Sequence, residues 1–273
     1  RAKSRKTWML IQLALFYVSI GLKVLFFTRE MTKEELEWRV GAMACGLDYG
    51  DLMKGRVSAQ GMDYFESVMK EIFASGLFII SPKAEGFQGF KSKIEQHHPH
   101  IIIHDYVKAM ADDAMGDNFR GDEHRYVARV FDLVVNYVND KAKTPCFLCG
   151  HANREGVKGK GKSTREHAHS DHIVRRVDGA FRVICNKAEN KIAVVINAGR
   201  AFPENIGFTM KGTICHGFGD IISNDTRWVA TFDESEDEED ASKARNGGQQ
   251  PDPATTKKST LDPTKFRRKF KKK

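Results

Sequence analysis

The 273-residue sequence predicts an α/β fold of three layers, with a mainly parallel central sheet, antiparallel strands at one edge and a disordered C-terminal tail. Three observations predict it. Short apolar runs at 23–28, 77–80, 100–104 and 144–149 alternate with helical segments, and such strands need cover on both faces. The segment 180–222 packs several strands between short turns, Ala188-Glu189-Asn190 and Pro203-Glu204-Asn205, which is the pattern of antiparallel pairing. From Asp233 the chain runs through an acidic stretch, a Gly/Gln/Pro/Thr-rich stretch and a basic end, Lys265 to Lys273. It has too little to bury there to offset the entropy of ordering. The organisation is therefore one domain over 1–232 and a tail over 233–273.

The first helix is read over 6–20. Its run from Trp8 to Ile20 follows a basic start and imitates a signal peptide or membrane anchor. Gln12, Ser19 and Lys23 interrupt it, and its length falls short of the ~20 residues a spanning helix needs. A helix buried within a layered domain fits better, and no membrane is expected as a partner. The strand Lys23–Thr28 follows Gly21. A second helix starts at Thr32, where Thr32-Lys33-Glu34-Glu35 reads as a capping box. Further helices are expected over 60–74 and 123–140.

The formal charge is +8, and the tail, with 11 basic and 9 acidic groups, supplies +2 of it. The remaining +6 lies on residues 1–232, which suggests a polyanionic partner such as nucleic acid. Five cysteines at scattered spacings give no disulfide framework and suit a reducing, cytoplasmic setting.

Three places carry candidate chemistry. Lys6 and Thr7 stand directly before a long helix, where a phosphate-binding loop needs an ammonium for the β/γ-phosphates and a hydroxyl for Mg²⁺. The preceding residue, usually Gly, is Arg5, and on its own the pair could be no more than a basic terminus. About 100 residues on, His100-Ile101-Ile102-Ile103-His104-Asp105 is an apolar strand ending in an acid. A carboxylate at a strand's C-terminal end can support Mg²⁺ opposite the phosphate loop, although an acid there can equally be a simple strand cap. The strand at 24–28 runs into Glu30, which could polarise an attacking water or merely open the next helix.

The order of these motifs resembles the C-terminal, RecA-like ATPase domain of DnaB-family replicative helicases. The opening, with Ser4, Arg5, Lys6 and Thr7, looks like the end of that family's Walker A loop, so the resemblance implies a chain that starts inside the loop. Thr28-Arg29-Glu30-Met31, followed by Leu36 and Arg39, looks like its Ser-Leu-Glu-Met segment. Ile103-His104-Asp105-Tyr106 and Met110 look like its Ile-Asp-Tyr segment. Cys149-Gly150-His151-Ala152-Asn153-Arg154 is similar to its Ser-Gln-Leu-Asn-Arg, and Ser170, Ile173 and Asp178 follow in order. The match runs from residue 1 to about 212.

The resemblance implies a P-loop NTPase fold with ATP and Mg²⁺ as cofactors. Ser4, Arg5, Lys6 and Thr7 would bind nucleotide, Thr7 and Asp105 would hold the metal, and Glu30 would be the catalytic carboxylate. His151 stands where the family has a γ-phosphate-sensing Gln. Arg200 stands where it has an arginine finger that reaches the neighbouring subunit, although the companion Lys is Ala198 here. Between them, Arg154, Lys158, Lys160, Lys162 and Arg165 lie on a glycine-rich stretch able to follow a phosphate backbone by charge, in the region of the family's channel loop. The implied activity is that of a ring-forming motor, a homo-hexamer moving on single-stranded DNA during replication. A primase, polymerase or helicase loader would be a further partner. Two alternatives stay open, another RecA-like ATPase (recombinase or KaiC-like) and a DNA-binding subunit with impaired hydrolysis.

Two other groupings are weaker. Cys146 and Cys149, with His167, His169 and His172, hint at zinc, but residues three apart on a strand face opposite ways. His97, His98 and His100 read as a polar turn before a buried strand.

Overall fold

The computed structural model describes residues 5–81, 86–105, 123–150, 176–186, 189–199, 206–212 and 218–223. A parallel sheet is built from β1 (Val24–Thr28), β2 (Leu77–Ile80), β3 (Ile101–Asp105) and β4 (Cys146–Leu148), in the order β2-β1-β3-β4. β1 pairs with β2 on one side and β3 on the other, with Thr28 beside Asp105 in register. The reversal of strand order between β1 and β3 opens a crevice at their C-terminal ends, where ligands of open α/β sheets bind.

Alternate residues of these strands feed two cores. Val24, Phe26, Ile101 and Ile103 face one cluster, while Leu25, Phe27 and Ile102 face the other. On the first face lie α1 (Lys6–Ser19), α2 (Lys33–Cys45), α3 (Tyr49–Met53) and α4 (Ala59–Ala74). On the second lie α5 (Phe87–His97), α6 (Glu123–Asn136) and the π-helical turn Tyr137–Ala142. This is the three-layer arrangement expected of strands that are apolar throughout.

The antiparallel strands β5 (Gly179–Asn186), β6 (Lys191–Gly199), β7 (Gly207–Gly212) and β8 (Phe218–Ser223) form a four-stranded sheet with its own hydrogen bonding. Ile192 and Met210 join it to the core that contains Trp8 and Leu10 of α1.

Local details follow from the sequence. Thr32 caps α2 by accepting the Glu35 N–H at 3.1 Å, while the Glu35 carboxylate engages Arg39 at 2.6 Å. α1 buries Trp8, Ile11, Ala14, Leu15 and Val18, but Phe16 and Ile20 are about half exposed, so one of its sides faces outward. No described helix is long and apolar enough to cross a membrane. The region read as a histidine turn contains more structure than expected. His97 ends α5, His98 caps it in the left-handed conformation, and His100 Nδ1 accepts the Lys23 N–H at 2.9 Å, securing the entry to β1.

Candidate nucleotide site

The first turn of α1 sits beside the C-terminal ends of β3 and β4, through contacts of Thr7 and Lys6. Arg5, the residue before the helix, has φ 60° and ψ 21° and makes no side-chain cap. It thus adopts the left-handed conformation that glycine takes freely and that costs an L-residue roughly 1–2 kcal/mol. The free N–H groups of a helix's first turn favour an anion, and no acidic side chain occupies this one. The Arg5 guanidinium lies against Gly212 of β7, where an added Cβ would come within 2.8 Å of it.

Thr7 Oγ1 donates to Asp105 Oδ2 at 2.6 Å. Both groups are buried, so a hydroxyl and a carboxylate, two hard oxygen donors suited to Mg²⁺, are held together beside the helix N-terminus. The Asp105 pKa is raised above the ordinary carboxylate value, chiefly by burial. The Thr7 hydrogen bond opposes that shift, the negative charge of Glu30 adds to it, and the Cys149 thiol and Lys6 oppose it. A bound cation would relieve the same unfavourable charge, which is the sense in which the donor set fits a metal.

Lys6 Nζ donates to the Gly150 carbonyl at 2.6 Å, just beyond β4. β4 is tied in turn to β3 by the Cys149 N–H on His104 O at 3.0 Å. The Arg29 N–H donates to Asp105 O at 2.8 Å, which fixes the bend after β1 against β3. Glu30 lies exposed on that bend, near enough to Asp105 to act on its charge. His104, next to Asp105, turns the other way, between Phe27 and Phe90, and burial with the nearby Arg29 lowers its pKa to about 3. It is a neutral core residue.

The structure therefore brings Arg5, Lys6, Thr7, Glu30 and Asp105 to one end of the parallel sheet. Ser4, His151, Arg154, Lys158, Lys160, Lys162, Arg165 and Arg200 lie outside the described residues, as do the tail and His167, His169 and His172. Cys146 packs on the α5–α6 side and Cys149 on the α1 side, so the two thiols face opposite ways, as strand alternation requires. Among the described residues no group of three or more metal-binding side chains assembles. The sequence places Cys149 and Gly150 in a family-like motif but assigns neither a role at this site. The signal for such a role was their place at the end of a strand neighbouring β3.

The fold is that of the RecA-like ATPase domains of DnaB-like helicases. One such solved ATPase domain superposes with a TM-score of 0.70 at 14% identity, covering 81% of this chain and 82% of that one. A DnaB-like replicative helicase, described together with its interactions with primase, superposes with a TM-score of 0.68 at 14% identity. That match covers 80% of this chain and 55% of the helicase, so the chain spans about half of its length. No family model matches the sequence, and no curated protein does.

Proposed function

We propose that this chain is the motor of an ATP- and Mg²⁺-dependent DNA helicase that forms a ring, hexameric by analogy, and moves along single-stranded DNA during replication. The observation that carries the reading is the Thr7–Asp105 hydrogen bond at the N-terminus of α1, with Lys6 and Glu30 at the same sheet end. These are the parts a phosphoryl-transfer site needs: an ammonium, a metal-binding hydroxyl, an acid at a strand end and a water-polarising carboxylate. Lys6 and the first-turn N–H groups bind the phosphates. Thr7 and Asp105 would hold Mg²⁺, which supplies charge neutralisation on the phosphate oxygens. Glu30, exposed and on a backbone fixed by the Arg29–Asp105 hydrogen bond, takes a proton from the attacking water. The likeness to helicase ATPase domains supports this choice over a recombinase or a KaiC-like ATPase.

In this reading His151 senses the γ-phosphate and Arg200 reaches the site of the neighbouring subunit. Arg154, Lys158, Lys160, Lys162 and Arg165 grip the DNA backbone, and a primase, polymerase or loader joins the ring. Replacing Lys158, Lys160 and Lys162 with Ala in the full-length protein tests the DNA-binding part. Single-stranded DNA affinity should weaken alike for all sequences. The dependence of log K on log salt should become shallower by up to ~0.7 per lost phosphate contact. ATP binding without DNA should hold. If deletion of 233–273 removes DNA binding while the triple variant retains it, the loop assignment is wrong.

A further inference from the structure

Beside the first turn of the phosphate-loop helix, three elements meet at one cation. The Arg39 guanidinium of α2 lies 5.4 Å from the ring centre of Trp8 and 5.4 Å from that of Tyr49. The two rings pack edge to face at 5.6 Å. Arg39 also pairs with Glu35, one turn earlier on α2, at 2.6 Å. Its Nε is buried and has no hydrogen-bond partner, so the aromatic faces and one carboxylate hold the group.

The placement of these residues gives the cluster its meaning. Trp8 directly follows Thr7, whose hydroxyl sits on Asp105. α2 begins at Lys33, three residues after Glu30, and Tyr49 opens α3. Arg39 therefore joins the first turn of the phosphate-loop helix to the helix that follows the catalytic bend. β-pairing and the Arg29–Asp105 hydrogen bond fix the bend along the strands. They do not fix α2 laterally against α1, and the Arg39 contacts lie in that direction.

We propose that Arg39 is a positioning residue for ATP hydrolysis, setting the distance between Glu30 and the phosphates by clamping α2 to Trp8 and Tyr49. The proposal rests on the hydrolytic reading above. A guanidinium suits the task because its planar, weakly hydrated face stacks on aromatic rings while one edge stays on a carboxylate. Misplacement of a reacting group by about 1 Å costs on the order of 10²-fold in rate, whereas the phosphate contacts that set nucleotide affinity lie on α1 itself. The clamp should thus act on kcat far more than on binding.

The test compares Arg39→Met, Arg39→Lys, Tyr49→Leu and Glu30→Gln with wild type in the full-length protein. Steady-state ATP hydrolysis with Mg²⁺, the Kd of a fluorescent ATP analogue and the thermal midpoint are measured. Arg39→Met should lose about tenfold or more in kcat with Kd unchanged within about twofold. Arg39→Lys, which keeps the charge but not the planar stacking group, should fall between wild type and Arg39→Met in kcat with Kd in place. Tyr49→Leu should lower kcat in the same direction and leave Kd in place. An Arg39→Met kcat equal to wild type, or a parallel collapse of kcat and Kd in both Arg39 variants, overturns the proposal. If Arg39→Met does not fold, an unchanged kcat in Tyr49→Leu overturns it, and a lowered kcat with Kd intact supports it. A wild-type protein without Glu30-dependent hydrolysis overturns both this role and the hydrolytic reading. Glu30-dependent hydrolysis that ignores Arg39 overturns this role alone.

Discussion

Asp105 is 1% exposed and lies close to Glu30, so two unfavourable influences act on one carboxylate. Both raise its pKa, against the opposing hydrogen bond from Thr7. The folded protein therefore holds the Asp105 proton more tightly than the unfolded chain does. The stabilisation from this group is complete below the ordinary carboxylate pKa and is lost as pH rises through the raised folded value. At neutral pH, without metal, the Asp105 charge weakens the fold. Asp105→Asn should accordingly raise the metal-free thermal midpoint at pH 7.5. The gain should shrink as pH falls toward the carboxylate range. Mg²⁺ should raise the midpoint of wild type and not of the variant. Calorimetry with and without Mg²⁺ checks all three, and a variant less stable than wild type at pH 7.5 contradicts the electrostatic account.

Among the elements, α2 and α4 show how a small residue sets a crossing. Gly41 of α2 faces the Phe65 ring of α4 so closely that a methyl group there would overlap it. Alanine in a helix interior normally gains up to about 1 kcal/mol over glycine. Overpacking a close contact costs about 1–3 kcal/mol, and the Phe65 ring is pinned by stacking on Trp38 at 5.3 Å. The clash should win. Gly41→Ala should lower stability by roughly 1–2 kcal/mol in chemical denaturation, and adding Phe65→Leu should restore part of the loss. Equal or greater stability for Gly41→Ala would show that the ring gives way.

The same scale shows what was legible in the sequence. β2 appears over 77–80 as read, and β1, β3 and α2 lie within a residue of expectation, because uniformly apolar runs and the Thr32 cap are local signals. α5 carries only a weak sequence signal: Phe87, Phe90 and Ile94 follow helical spacing, but the segment is short and runs into a histidine-rich turn. The expected full burial of α1 overlooked Phe16 and Ile20, because an apolar side chain need not meet a neighbour. The gathering of Lys6, Thr7, Glu30 and Asp105 at one sheet end could be read from strand ends and a helix start. The Lys6–Gly150 contact could not, because it joins residues 144 positions apart through the placement of β4.

For the whole molecule, the parallel sheet acts as a frame that brings distant segments to one end. The in-register pairing of β1 with β3 brings Glu30 near Asp105, and α1 delivers Lys6 and Thr7 to the same sheet end. The second sheet packs against α1 through Ile192 and Met210, so α1 lies in contact with both sheets. In the proposed mechanism this crevice hydrolyses Mg²⁺-ATP with Glu30 as the base. The most direct measurement is single-turnover ATP hydrolysis by the full-length protein and its Glu30→Gln variant, with nucleotide affinity measured alongside. Affinity should stay within a few-fold of wild type while the hydrolysis rate falls by about 10²–10⁴-fold, the usual contribution of a positioned general base. Hydrolysis by Glu30→Gln at the wild-type rate would contradict it.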